Sequence, residues 1–261
     1  MSEQPIRFED GAGYERMMGT WSRLAGEDFL RWLAPPPALR WLDVGCGNGA
    51  FTERIAQRCA PAGLTGVDPS DAQLAFARQR PGTPGALYLQ GDAMALPVPD
   101  ASFDAAVMAL VIFFVPEPQR GVAEMVRAVR PGGLVCAYAW DFGAGGFPLA
   151  ALQQEMAALG VPPHYPPSVE VSRPDRLRAL WSDAGLLDIQ MTELRVQRRF
   201  DSFEDLWATS LLGSSVGPRV AAMTELQRGE LLERLRRRML QDADGRITCS
   251  AFANGIRGRV P

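Results

Sequence analysis

The sequence predicts an α/β protein, a doubly wound, mostly parallel seven-stranded sheet with helical caps inserted after strands five and six. Three observations predict it. Short apolar runs alternate with segments of helical period, the pattern of parallel strands joined by helices on both faces. A glycine-rich turn, Gly45-Cys46-Gly47-Asn48-Gly49, follows the first apolar run and opens the first of those helices. Acidic residues then mark the ends of the first three runs, as Asp43, Asp68 and Asp92.

The elements follow in order. Leu39 to Val44 reads as the first strand and Ala50 to Ala60 as the helix behind the glycines. Leu64 to Val67 is the second strand, closed by Asp68 and Pro69. Ser70-Asp71-Ala72-Gln73 matches a capping box, which opens a helix toward Arg80. Ala86 to Leu89 is the third strand, and Phe103 to Leu110, a continuous apolar run after Asp104, is a buried central fourth. Pro118 to Val129 forms a helix stopped by Arg130-Pro131-Gly132-Gly133, and Leu134 to Tyr138 is the fifth strand. Beyond Trp140 the rhythm breaks at Asp141-Phe142-Gly143-Ala144-Gly145-Gly146 and at VPPHYPP, before a helix with Ser172 as N-cap and Pro174 in its first turn. A sixth strand near Leu187 to Val196, helices over about Ser202 to Leu212 and Thr224 to Leu240, and a last strand around Arg246 to Ile256 complete the chain.

This order divides a single domain into a helical N-terminal cap (1–38), a ligand-binding core (39–140), a lid insertion (141–171) and a C-terminal part (172–261) with a helical insertion over about 202–240. Both insertions fall over the carboxyl end of the sheet, where open parallel sheets bind ligands. With 261 residues and 47% hydrophobic content, one large domain has ample core.

Composition excludes several classes. The net charge is −3, and every one of the 27 basic residues is Arg. No basic excess argues for nucleic acid or an anionic membrane. Cys46, Cys59, Cys136 and Cys249 form no CxxC pair, so neither a disulfide framework nor a zinc site is indicated, and a reduced, cytoplasmic setting is expected. The start MSEQPIRFED lacks a signal-peptide pattern, and Ala105 to Val115, the longest apolar run, is too short to span a bilayer.

The spacing Gly45-x-Gly47-x-x-Ala50 also satisfies a relaxed dinucleotide fingerprint, so the neighbours must name the ligand. Asp43, two residues before Gly45, places a carboxylate at the loop; it repels a pyrophosphate and attracts an ammonium or sulfonium. Asp68 is placed to accept hydrogen bonds from a ribose diol. Asp92, in Gly91-Asp92-Ala93-Met94, sets an acceptor beside apolar residues, which suits an exocyclic amine and an adenine face. Together they point to adenosine bearing a cationic tail.

LDVGCGNG, GVDPS, GDAMALPVPDASFDAAV and VRPGGLV, in this order and at these intervals, resemble the class I S-adenosylmethionine-dependent methyltransferases. The pattern is nearest to the broad small-molecule branch (methyltransferase type 11) that includes quinone-biosynthesis enzymes. The resemblance spans about Arg40 to Trp140. It implies a Rossmann-like fold, S-adenosylmethionine as cofactor with S-adenosylhomocysteine as product, and methyl transfer to a small-molecule O, N or C nucleophile by in-line displacement. By matching motif, Asp43, Gly45, Cys46, Gly47 and Gly49 line the methionine end, and Asp68, Pro69 and Ser70 line the ribose. Asp92, Ala93 and Met94 take the adenine, with Pro69 and Met94 on its faces, while Met108 and Ala109 approach the methionine through backbone carbonyls. The leading GYERMMGTWS resembles a helix that closes over the cofactor, which assigns Tyr14 to the site.

The acceptor side carries no transferable motif. Trp140, Phe147 and Tyr165 either line an aromatic substrate pocket or anchor the lid, and His164, the single histidine, is the one candidate general base. Asp104 reads as structural, and Cys46 as a small packing residue rather than a nucleophile. Without Lys, the Lys-Asp-Lys-Glu tetrad of ribose 2'-O-methyltransferases cannot be built. Val111-Ile112-Phe113-Phe114 also stands where amino-methylating nucleic-acid enzymes carry Asn or Asp, Pro-Pro and an aromatic. No metal-ligand cluster is evident. Two other readings stay open at this level: a module that binds S-adenosylmethionine or S-adenosylhomocysteine without turnover, and an NAD-dependent oxidoreductase.

Overall fold

The computed structural model describes residues 15–261. A short π-helical turn, Glu15–Gly19, leads into α1 (Thr20–Leu33). The core follows as β1 (Arg40–Val44), α2 (Ala50–Cys59), β2 (Gly63–Asp68), α3 (Asp71–Arg78), β3 (Leu87–Gln90), β4 (Phe103–Ala109), α4 (Pro118–Ala128) and β5 (Val129–Trp140). The remainder is α5 (Ala150–Ala158), α6 (Pro174–Asp183), β6 (Leu187–Phe200), α7 (Phe203–Ser210), α8 (Gly217–Ala221), α9 (Glu225–Arg238) and β7 (Ile247–Arg259). The seven strands form one sheet in the order β3-β2-β1-β4-β5-β7-β6. All neighbours are parallel except that β7 runs antiparallel to both β5 and β6. The predicted class and strand number therefore hold.

Because β7 is antiparallel to both neighbours, β6 runs in the same direction as β5. Both therefore run toward the same edge of the sheet: Trp140, the last residue of β5, and Leu194 each face Ala253, and β6 runs on to Phe200 opposite Ile247. The chain segments that follow them meet over that edge. Arg238 of α9 bonds Glu155 and Gln154 of α5, and Arg219 of α8 donates to the Pro162 carbonyl. Asn254 on β7 fastens both ends of the first insertion, its Nδ2 donating to Asp141 Oδ2 and to the Ser172 carbonyl, each at 2.9 Å. Four tryptophans, Trp21, Trp41, Trp140 and Trp181, are among the largest fully buried side chains of the core beneath.

Three local expectations change. Ser172 is not an N-cap: it is fully buried, and its hydroxyl donates to the Val169 carbonyl at 2.6 Å inside a 3-10 turn, so Arg173 takes the cap position before Pro174. Arg130-Pro131-Gly132-Gly133 does stop the helix, yet it lies inside β5, because Gly132 N–H donates to the Val260 carbonyl and Val260 N–H to that of Gly133. The five-residue α8 was not expected at all. Asp104 is structural, as read: its carboxylate accepts from the Arg40 amide at 2.7 Å and from Arg130 Nε at 2.6 Å, joining the starts of β1 and β5. Those contacts hold its pKa below the usual carboxylate value even though burial pulls it upward.

Candidate functional site

The glycine loop occupies the turn between β1 and α2. Its first residues hang from β2, since the amides of Gly45 and Cys46 both donate to the Val67 carbonyl, at 2.7 and 3.0 Å. Gly45 has φ +74°, and a Cβ there would meet Val111 Cγ1 at 2.5 Å. A side chain is excluded on both counts. Gly47 differs: its φ is +52°, but a Cβ would find nothing within 4 Å. The loop thus presents bare backbone to an open cradle at the N-terminus of α2, a geometry that admits close approach of a ligand.

The three acids stand in unequal surroundings. Asp68 ends β2, and its two oxygens accept from the amides of Gly47 (2.8 Å) and Ser70 (2.9 Å); burial raises its pKa. Ser70 in turn caps α3, its hydroxyl accepting from the Gln73 amide. Asp92 is exposed at the end of β3 and folds back on the Met94 amide at 2.8 Å, leaving one oxygen toward solvent, with Ala93 and Met94 half-buried beside it. Asp43 is fully enclosed rather than open to the loop as the sequence suggested. Its Oδ2 accepts from Thr52 Oγ1 at 2.7 Å, its Oδ1 has no partner, and burial pushes its pKa up to about 7. An unpartnered buried carboxylate oxygen is costly, and a cationic group or water brought to the loop would relieve it. Cys46 is inert: buried against Gly66 and Tyr88, its thiol pKa is driven up by burial first and by Asp43 and Asp68 next.

These residues fit an adenosyl ligand with a cationic tail. The open cradle at Gly47 and the carboxylates at the ends of β2 and β3 are the space and acceptors such a molecule needs, and the enclosed Oδ1 of Asp43 still lacks a partner. Pro69 is exposed where β2 meets α3. Met108 is buried, its Cε against Gly121 of α4, so it can face the loop through backbone only; Ala109 is half-buried. Tyr14 lies outside the described residues. The next residue, Glu15, accepts from Asn48 Nδ2 at 3.2 Å and pairs with Arg80, whose Nε also donates to the Asn48 carbonyl. The leading segment is thereby tied to the glycine loop.

A second cavity, of about 60 Å³, lies next to the cradle at the ends of β4 and β5. Its wall includes Trp140, Phe147 and His164, three of the acceptor-side candidates, together with residues not named from the sequence for that side: Met17, Met18, Leu110, Phe113, Phe114, Phe142 and Gln153 among them. Phe142 stacks on Phe147 with centroids 4.7 Å apart and meets Phe113 edge-on at 5.2 Å. Tyr165 is exposed and touches the cluster only through Phe142, at 6.1 Å. The signal for Phe113 and Phe114 was present in the VIFF stretch, where it served only to exclude other chemistries.

The model of a methyltransferase domain matches residues 42–137, the span that holds the cradle and all three acids. Residues 42–137 thus carry the sequence pattern of a methyltransferase domain. Over 98 residues this methyltransferase domain is 42% identical to 2-methyl-6-phytyl-1,4-hydroquinone methyltransferase 2, chloroplastic, of Oryza sativa subsp. japonica, covering 38% of this chain and 28% of that one. It is 37% identical over 94 residues to the fatty-acid O-methyltransferase of Mycolicibacterium smegmatis, covering 36% of this chain and 34% of the other. The matches thus span about a third of the curated relatives' own lengths. Among solved structures, phosphoethanolamine N-methyltransferase 2 of Haemonchus contortus, in complex with S-adenosyl-L-methionine, superposes with a TM-score of 0.60 at 17% identity, over 97% of this chain and 57% of that one. Among the described residues no helix is long and apolar enough to cross a membrane, and no three His, Cys, Asp or Glu side chains converge as metal ligands.

Proposed function

We propose that the protein transfers a methyl group from S-adenosylmethionine to a small-molecule acceptor, and that it works in the cytoplasm on neither nucleic acid nor membrane. The observation that carries the reading is the open backbone cradle at Gly47, held against Asp68, with Glu15 bonded to the neighbouring Asn48. When bound, the cofactor supplies a sulfonium-activated methyl carbon for in-line displacement.

The chain's own part is to bind, orient and exclude water. Gly45, Cys46, Gly47 and Gly49 give the methionine end a surface of backbone, with Asp43 Oδ1 as acceptor for its cationic group. Asp68 keeps lone pairs for the ribose hydroxyls while holding the loop, and Ser70 keeps Asp68 in place. Asp92 accepts from the adenine amine, with Ala93, Met94 and Pro69 against the ring. The carbonyls of Met108 and Ala109 end β4 on the methionine side, and Tyr14 precedes the segment that covers the cradle. The lid, 141–171, shuts the aromatic cavity over the acceptor, with Trp140, Phe147 and Tyr165 on its side of the site. Orientation of this kind can supply about 7 to 11 kcal/mol of a barrier, so no strong base is required unless the acceptor must lose a proton. His164, half-buried in the cavity wall, is the residue placed for that task. Four unpaired cysteines accord with a reducing compartment.

Thermal unfolding with S-adenosylmethionine, S-adenosylhomocysteine and NADH tests the cofactor, because a ligand at 100 times its dissociation constant adds about 2.7 kcal/mol of stability. Stabilisation by the two adenosyl sulfur compounds is expected. Stabilisation by NADH alone would overturn the reading. Release of S-adenosylhomocysteine that depends on an added acceptor then separates an enzyme from a binding module.

A further inference from the structure

The aromatic cavity contains one anomaly. Gln153, in the middle of α5, is 5% exposed and lines the cavity, yet its side-chain amide makes no hydrogen bond to any described residue. Its backbone amide is satisfied in the helix by Leu149. Neighbouring Gln154 on the same helix is not comparable, because its carbonyl oxygen accepts from Arg238. A primary amide carries two donors and an acceptor, and those of Gln153 are not among the side-chain atoms sealed from solvent without a partner, so they open on the cavity and are available to a molecule inside it. Around it the wall is apolar and aromatic: Phe113, Phe142, Phe147, Trp140 and Met18. No Arg, Asp or Glu reaches the lining; its remaining polar side chains are His164, half-buried, and Ser214 and Ser215, at exposed and half-buried positions.

We propose that Gln153 is a specificity-determining residue, which hydrogen-bonds the polar group of an uncharged, ring-bearing acceptor whose apolar body fills the aromatic chamber. The inference rests on the methyltransferase reading for the word acceptor, but the chamber's preference is a property of its own residues. A wall of this kind holds a neutral ring and disfavours a carboxylate or phosphate, for which it offers no Arg and only the single imidazole of His164. A cavity amide that gives up solvent to a bound ring discriminates against the analogue that lacks a hydrogen-bonding group, because the amide is then left unpaired. Leu110, which forms part of this wall, lies next to Val111, the residue packed on Gly45. The chamber therefore abuts the end of the cradle to which the methionine moiety is assigned.

The test uses the whole chain and three probes, 2-naphthol, naphthalene and 2-naphthoate, in equilibrium dialysis with saturating S-adenosylhomocysteine. Binding of S-adenosylhomocysteine itself is measured separately by calorimetry. The unsubstituted protein is expected to hold 2-naphthol about tenfold more tightly than naphthalene, and 2-naphthoate least of all. Gln153→Leu, which keeps the bulk and removes the amide, should bring 2-naphthol to the level of naphthalene while S-adenosylhomocysteine binding stays unchanged. Gln153→Met repeats the test should the leucine variant fail to fold. A preference that survives both substitutions overturns the role of Gln153. Tightest binding of 2-naphthoate, or no binding of either neutral probe, overturns the chamber assignment and leaves the cofactor reading standing. Loss of S-adenosylhomocysteine binding in the unsubstituted protein, with an amide-dependent naphthol preference retained in its absence, would sink the methyltransferase reading and leave the chamber.

Discussion

The Gly47 amide donates to Asp68 Oδ2 at 2.8 Å, and through that bond the end of β2 holds the glycine loop at the end of β1. The other oxygen of Asp68 accepts from the Ser70 amide, so a single carboxylate joins two turns at the site. Desolvation raises its pKa, and the two amide bonds oppose that rise. Asp68 is thus both a fastener of the loop and, on the proposed reading, the ribose acceptor.

Asp68→Ala should lower affinity for S-adenosylhomocysteine by roughly 10- to 150-fold, the equivalent of one hydrogen bond to a charged group, about 1.5 to 3 kcal/mol. Asp68→Asn keeps an acceptor for one amide and should lose less. Calorimetric titration reads both, with urea unfolding to confirm the fold. Undiminished affinity in Asp68→Ala would falsify the ribose assignment.

Gly45→Ala and Gly47→Ala should separate folding from binding. At Gly45 the new methyl collides with Val111 on top of an unfavourable φ, and a loss of several kcal/mol in stability is expected, well beyond the roughly 1 to 2 kcal/mol of left-handed strain alone. At Gly47 only the strain applies, because the methyl enters open space; that space is the cradle, so cofactor affinity should fall more than stability does. Equal effects on both properties at both positions would contradict the placement of the cradle at Gly47.

Asp43 predicts a pH signature. Its pKa rises from 3.8 in an unfolded chain to about 7 in the fold, because burial disfavours the charge more than the Thr52 hydroxyl favours it. Between these values the folded state binds more protons than the unfolded one, so stability falls as pH rises from about 4 to 7, by up to roughly 1.4 kcal/mol per unit, and levels off above. Asp43→Asn removes this component. The variant's melting temperature, compared with that of the unsubstituted protein, should therefore gain from pH 5 to about pH 7 and level off by pH 8; a constant difference from pH 5 to pH 7 would show that Asp43 is not held protonated by burial.

The β1–loop–α2 unit was legible because its signals are local. An apolar run, glycines at alternate positions and a helix of amphipathic period sit within twenty consecutive residues, and backbone sterics alone dictate what such a stretch can do. The acids at Asp68 and Asp92 were legible for the same reason, each lying at a strand end next to a turn. Asp43 was legible as a residue but not as a charge, since Thr52 and full burial, which set its protonation, are consequences of α2 packing on the sheet. Ser172 misled because a serine before Arg-Pro looks like a cap until Asn254, far along the chain, takes its carbonyl and a 3-10 turn takes its hydroxyl.

By itself the sequence determined the α/β class, the parallel core, the place of the cradle and the kind of ligand that suits it, since each depends on short-range periodicity and on residue chemistry at strand ends. The tertiary structure alone decided the acceptor side. Met18, Phe113 and the pair Phe142 and Gln153 come from three separate segments, and no sequence period relates them. They meet because β7 inserts antiparallel between β5 and β6, which returns the ends of β5 and β6 to the same edge and folds both insertions over β4. Long-range pairing of that kind leaves no periodic trace in sequence, so the residues that would choose the acceptor become visible only once the sheet is closed.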